Sequence, residues 1–174
     1  MMELTGKCVA ILVEDFYEDL ELWYPYYRLK EAGVEVVLLG TGKPKYASKH
    51  GYPAEEDLKV DDAEPREYAA VIIPGGYAPD HMRRHPPMIE FVRKAHDHGA
   101  VIAFICHGGW VPISAGILEG RTATSFFAIK DDMVNAGVRW VDEEVVRDGN
   151  LVSSRKPQDL PAFMRTVIEA LAAE

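Results

Sequence analysis

The sequence predicts one doubly wound α/β domain, a mostly parallel sheet with helices on both faces. Two observations carry this. Short β-rich apolar runs, "KCVAILV" (7–13), "VEVVLLG" (34–40), "YAAVIIPGG" (68–76) and "AVIAFI" (100–105), are continuous rather than alternating. That is the pattern of strands buried on both faces. Amphipathic stretches separate most of these runs, and strand–helix alternation of this kind folds as a parallel sheet wrapped on both sides.

The elements follow in order. After the first strand, "EDLELWYPYYRLKEAG" reads as a helix. Leu20, Trp23, Tyr27 and Leu22 are expected on its inward face, Pro25 is expected to kink it, and Gly33 is its stop. Residues 41–64 are polar and rich in Gly, Lys and Asp, and read as an excursion with short strands, including a hairpin. The third strand ends in a Gly75-Gly76 turn. "PPMIEFVRKAHDHG" opens with prolines in a first helical turn and closes on Gly99. The fourth strand leads to "GGWVPISAGILEG", a helix again carrying a proline. "RTATSF" (121–126) reads as the fifth strand and "AIKDDMVNAG" as a short helix. "VRWVDEEVVRDGNLVSSRKP" holds a hairpin turning at Asp148-Gly149-Asn150, and "QDLPAFMRTVIEALAAE" is a C-terminal helix. No linker, repeat or low-complexity segment divides residues 1–174, so a single domain is expected.

Composition narrows the function. Nineteen Lys and Arg face 28 Asp and Glu, a net charge of −9 with no basic stripe. This argues against non-specific nucleic-acid binding. No segment is long and apolar enough to span a membrane, and "MMELTGK" lacks the basic-then-apolar order of a secretory signal. Cys8 and Cys106 fall in no C-x-x-C pattern and read as free thiols of a reducing, cytoplasmic setting.

Ligands of doubly wound folds bind at the carboxyl ends of the strands. Glu14, Asp15, Glu18 and Asp19 follow the first strand, Gly75 and Gly76 the third, and Cys106-His107-Gly108-Gly109 the fourth. In the common strand order 2-1-3-4-5 these three strands are neighbours, so their ends converge. A cysteine at a strand-to-helix junction followed by two glycines fits a nucleophile elbow. The helix start is expected to lower its thiol pKa, and turn amides are placed to hold an oxyanion. The alternative is a small apolar residue closing a buried strand. Cys8, inside the first strand, reads as core. His107 is either a general base or an exposed residue at a helix start. Glu18 is either a carboxyl group beside the sulfur or a carboxylate satisfying a helix N-terminus.

The remaining histidines, His81, His85, His96 and His98, lack the spacing of a metal set, so no metal is expected. Gly75-Gly76 lacks the G-x-G-x-x-G spacing, so no dinucleotide cofactor is expected either. The face "WYPYY" reads as core or subunit interface.

Across nearly the whole chain, "FYEDLELWYPYYRLKEAG", "KHGY", "VIIPGGYAPDHMRR", "FICHGGW" and "IKDDMVNAGVRWVDEEVVRDGNLVSSRKPQDLPAFM" together resemble the PfpI family of intracellular cysteine peptidases and amidases. That family sits in the superfamily of the Parkinsonism-associated deglycase, with class I glutamine amidotransferases as distant relatives. The resemblance implies a flavodoxin-like sandwich. It implies Cys106 as nucleophile, Glu18 as the carboxyl group bonded to its sulfur, and His107 as base. The backbone amides of Gly76 and His107 would form the oxyanion hole. Asp80 would complete a triad from a neighbouring subunit, which requires a homo-oligomer, a dimer or hexamer. Phe104, two residues before the nucleophile, departs from the small residues usual there. Implied activities are glutathione-independent glyoxalase, protein deglycase and intracellular peptidase, all without a cofactor and acting on small carbonyls or glycated proteins. A non-enzymatic alternative is a stress sensor or chaperone with an oxidisable Cys106.

Overall fold

The computed structural model describes residues 4–173. Its elements in chain order are β1 (Cys8–Leu12), α1 (Asp19–Glu31), β2 (Glu35–Gly40), β3 (Tyr46–Ala47), β4 (Pro53–Ala54), β5 (Leu58–Lys59) and β6 (Ala70–Ile73). Then follow α2 (Ala78–Arg83), α3 (Pro86–Asp97), β7 (Val101–Ile105), α4 (Trp110–Ala115), β8 (Thr122–Ala123) and α5 (Lys130–Asn135). The chain ends with β9 (Arg139–Trp140), β10 (Val145–Asp148), β11 (Leu151–Ser154) and α6 (Leu160–Ala172).

Seven strands form one sheet in the order β10-β11-β7-β6-β1-β2-β5. Every pairing in it is parallel except β10–β11. Strands β6 and β7 are buried along their whole length, as their unbroken apolar runs require. The predicted adjacency of β1, β6 and β7 holds, so their carboxyl ends share one edge.

Two expectations are corrected. "RTATSF" contributes only the short β8, paired with β9 in a separate two-stranded sheet. The strand beside β7 is β11, brought there by the hairpin at Gly149, whose alternation-free "LVSS" is wholly buried. Secondly, α1 turns a different face inward. Leu22 is buried as expected, but with Glu21, Pro25 and Leu29, whereas Leu20 is 57% and Tyr27 63% exposed. The aromatic residues instead pack on one another at the surface, Trp23 edge-on to Tyr26 and Tyr52 and stacked with Tyr27. In addition, "APDHMR" forms the short helix α2. The β3–β4 pair is the hairpin expected within 41–64. Cys8 packs against the core from a half-buried position, and burial pushes its thiol up to about 11. Among the described residues no helix is long and apolar enough to cross a membrane.

Candidate active site

The site is built at the carboxyl ends of β1, β6 and β7. Strand β7 ends at Ile105 in extended conformation, and the next residue, Cys106, has φ +61°. A non-glycine residue in the left-handed region costs roughly 1–2 kcal/mol. The strain turns the chain sharply into a short 3₁₀ turn over Cys106–Gly109 and then α4. Gly108 permits the turn, because a Cβ there would lie 2.6 Å from the Ile73 carbonyl oxygen. Phe104 is fully buried behind the elbow, its ring 3.5 Å from the place of a Cβ on Gly109. The Phe126 N–H donates to the Cys106 carbonyl (3.2 Å), tying the following loop to the elbow.

The β6 side supplies Gly76 at φ +78°, where a Cβ would lie 2.4 Å from the Phe16 carbonyl oxygen. Only glycine fits that conformation and that approach. The backbone N–H groups of Gly76 and His107 both point at the Cys106 sulfur.

The carboxyl group beside the sulfur is that of Glu21, and this corrects the role expected of Glu18. Glu18 is the residue preceding α1, with extended backbone, and its carboxylate accepts a 2.9 Å hydrogen bond from Lys49 Nζ at the pocket. One turn later Glu21 lies on the inward stripe of α1 and is 0% exposed. Its Oε2 accepts from the Gly75 N–H (2.7 Å), and the carboxyl group lies close enough to Cys106 for the two groups to shift each other's pKa. Oε1 is buried without a hydrogen-bond partner. Burial, the largest cause, pushes Glu21 up to about 8. At neutral pH it therefore carries a proton and is a hydrogen-bond donor.

The thiol is also shifted upward, against the expectation of a lowered value. Burial pushes Cys106 up to about 12, and a charge on Glu21 adds to this. The His107 and Gly76 amides and the Lys49 ammonium act in the opposite direction. The physical reason is that the sulfur sits deep in the edge of the sheet, and the turn it opens leads to a six-residue helix only. While Glu21 is protonated, its contribution to this shift is absent.

His107 places Nδ1 3.3 Å from Cys106 Sγ, so the adjacent residues do meet across the strained turn. Its imidazole stacks on Phe126 (5.2 Å) and meets Trp110 edge-on (5.3 Å). Burial and then the Lys49 charge hold its pKa below the usual value, so the ring is neutral and able to accept a proton. Within the subunit Asp80 does not line the pocket; it is half-exposed on α2 and ion-paired with Arg84. A pocket of about 280 Å³ opens over the sulfur, walled by Tyr77, Phe126 and Pro157 with Glu18, Lys49 and Lys156. Among the described residues no group of His, Cys, Asp or Glu is placed to hold a metal ion. His85 instead meets Asp61 (2.6 Å), and His81 packs edge-on to Phe16.

Glu21, Lys49, Phe126 and Lys156 are site residues the sequence reading missed. Glu21 had a legible signal: with Pro25 and Leu29 it falls at i, i+4, i+8, a carboxylate on a buried stripe. Lys49 reaches the site only because the β3–β4 excursion folds back, its N–H donating to the Tyr17 carbonyl (2.9 Å).

Residues 7–170 match the family model described as the DJ-1/PfpI family. "Deglycase PfpI" of Pyrococcus furiosus is 47% identical over 163 residues, 94% of this chain and 98% of its own. A solved two-domain protein from Anabaena variabilis, with dj-1/thij/pfpi-like and ferritin-like domains, superposes with TM-score 0.94 at 44% identity. It is matched over 96% of this chain and 48% of its own length, so this chain spans about half of it. Drosophila melanogaster DJ-1beta superposes with TM-score 0.90 at 25% identity over 98% of this chain and 92% of its own, a flavodoxin-like sandwich of the same kind.

Proposed function

Because the chain belongs to the DJ-1/PfpI family, we propose that it is a cysteine-dependent enzyme acting on reactive carbonyls, of the glyoxalase or protein deglycase type. One observation carries the reading. A strained cysteine presents its sulfur to two backbone N–H groups, a neutral imidazole and a buried, protonated carboxyl group. The deglycase names of relatives at 46–48% identity point the same way.

With a 2-oxoaldehyde, Sγ attacks the aldehyde carbon while the thiol proton passes to His107 Nδ1. The oxygen of the tetrahedral adduct rests on the Gly76 and His107 amides and gains a proton to give a hemithioacetal. The hydrogen on the former aldehyde carbon is then removed as a proton, and the neighbouring carbon is protonated. Glu18, held at the pocket by Lys49, is the carboxylate available to accept it, and Glu21 donates toward the sulfur. Water hydrolyses the resulting thioester to a 2-hydroxy acid and restores the thiol. Peptide hydrolysis would start from the same attack, but the small pocket favours small carbonyls. Asp80 of a neighbouring subunit, in a homo-oligomer, would orient His107.

The test is product formation from methylglyoxal, a glycated thiol and a peptide amide by wild type and Cys106→Ala. Lactate from methylglyoxal in wild type alone is expected, and retained turnover in Cys106→Ala overturns the reading. Oxidation sensing is a second reading, favoured by the buried Glu21 proton available to a sulfinate on Cys106. Stoichiometric Cys106 oxidation by mild peroxide, with no turnover of any carbonyl, would select it.

A further inference from the structure

The pocket over Cys106 carries a charge opposite to that of the whole chain. Lys49 and Glu18 neutralise each other across 2.9 Å. Glu21 is uncharged below about pH 8, and His107 is held neutral. Lys156 is the one remaining charged group of the lining. It is exposed, and among the described residues its ammonium enters no ion pair, hydrogen bond or ring contact. A chain of net charge −9 thus offers one unpaired ammonium in the lining of the pocket that holds Cys106.

The backbone around Lys156 is fixed although its side chain is free. The preceding Arg155 is tied to Asp159 (2.9 Å) and Asp142 (2.8 Å), so its guanidinium is occupied. The Lys156 carbonyl accepts from the Asp159 N–H (2.9 Å), and Pro157 follows. Lys156 is therefore presented at the pocket from a rigid corner, with the apolar Pro157 beside it and Phe126 in the same lining. A cation beside an apolar wall binds a small anion by a charge-assisted hydrogen bond and leaves the apolar part of the ligand against the wall.

We propose that Lys156 makes the pocket selective for carbonyl compounds that carry a carboxylate, binding that carboxylate while the carbonyl meets Cys106. The substrate class is a 2-oxoaldehyde with an anionic tail. The overall reaction, R–CO–CHO plus water giving R–CHOH–COOH, oxidises the aldehyde carbon and reduces its neighbour, so no external oxidant is needed. This deepens the carbonyl reading of the site and rests on it for the chemistry, but the anion selectivity can be read without turnover.

Two alkylating agents of nearly the same size, iodoacetate and iodoacetamide, differ in charge. The ratio of their rates at Cys106 is measured in wild type, Lys156→Met and Lys156→Glu, with circular dichroism checking the fold. The iodoacetate-to-iodoacetamide ratio should fall about fivefold in Lys156→Met and further in Lys156→Glu, and should fall with added salt in wild type. In parallel, kcat/KM is compared for methylglyoxal and for its analogue whose methyl group carries a –CH2–COO⁻ extension. The preference for the anionic substrate should drop by a similar factor in Lys156→Met. An alkylation ratio equal in all three proteins overturns the proposal, and so does a turnover preference indifferent to Lys156. If the alkylation ratio shifts while wild type turns over neither oxoaldehyde, the anion selectivity stands and the carbonyl reading falls.

Discussion

Glu21 brings its carboxyl group against the Cys106 thiol while its Oε2 accepts a hydrogen bond from the Gly75 N–H at 2.7 Å. The residue comes from the first turn of α1, the thiol from the end of β7, and the amide from the end of β6. One buried carboxyl group thus ties together three segments of the sheet edge. A group held this way has consequences for stability as well as for chemistry.

Glu21 is pushed from 4.5 to about 8, so the folded state binds its proton more tightly than the unfolded chain does. The associated stability is complete below pH 4.5 and is lost as pH rises toward 8. Glu21→Gln keeps an acceptor for the Gly75 N–H and cannot ionise. It should raise the unfolding free energy by about 3 kcal/mol at pH 7, with the gain vanishing near pH 4. Urea denaturation at several pH values measures this. Glu18→Gln loses only its Lys49 ion pair and should change stability by less than about 1 kcal/mol. A larger pH-dependent gain in Glu18→Gln than in Glu21→Gln would contradict the assignment.

The left-handed backbone of Cys106 makes a second prediction. Elsewhere in a strand or helix, replacing Ala by Gly costs roughly 0.5–1 kcal/mol. At φ +61° the strain relieved by losing Cβ is of the same size or larger. Cys106→Gly should therefore match or exceed Cys106→Ala in thermal stability. A glycine variant clearly less stable than the alanine variant would show that the elbow is unstrained.

The Lys49 ammonium lowers the pKa of both His107 and Cys106. Lys49→Met should raise the His107 pKa, followed by the ring-proton resonance in an NMR titration. It should also raise the thiol pKa and slow iodoacetamide labelling of Cys106 at neutral pH. Faster labelling, or a lower His107 pKa, would mean that Lys49 does not act on the pair.

The fold was legible where burial alone sets the pattern. The unbroken runs of β1, β6 and β7 read as doubly covered strands, and their adjacency placed Cys106, His107 and Gly76 together. The reading failed where a polar residue sits on an inward face or an aromatic one on an outward face. Hydrophobic pattern matching put Leu20 and Tyr27 inside α1, whereas Glu21 occupies that side, its Oε2 accepting from the Gly75 amide and its carboxyl group facing Cys106. The β8 segment failed for another reason. Apolar content does not distinguish β8 from β11, and only the hairpin partner β10 decides which strand extends the sheet. Lys49 and Lys156 come from loops, and no periodicity points to them.

Asp80 gives the last prediction. Inside one subunit it pairs with Arg84 and stays outside the Cys106 pocket. If a neighbouring subunit uses it to orient His107, then Cys106→Ala and Asp80→Asn should each be inactive alone. Mixed after unfolding and refolded together, they should regain about a quarter of wild-type activity, since random pairing completes that share of sites across the interface. An Asp80→Asn enzyme with normal activity would remove Asp80 from the site. Two inactive variants that fail to complement, while size-exclusion chromatography shows mixed oligomers, would confine its action to its own subunit.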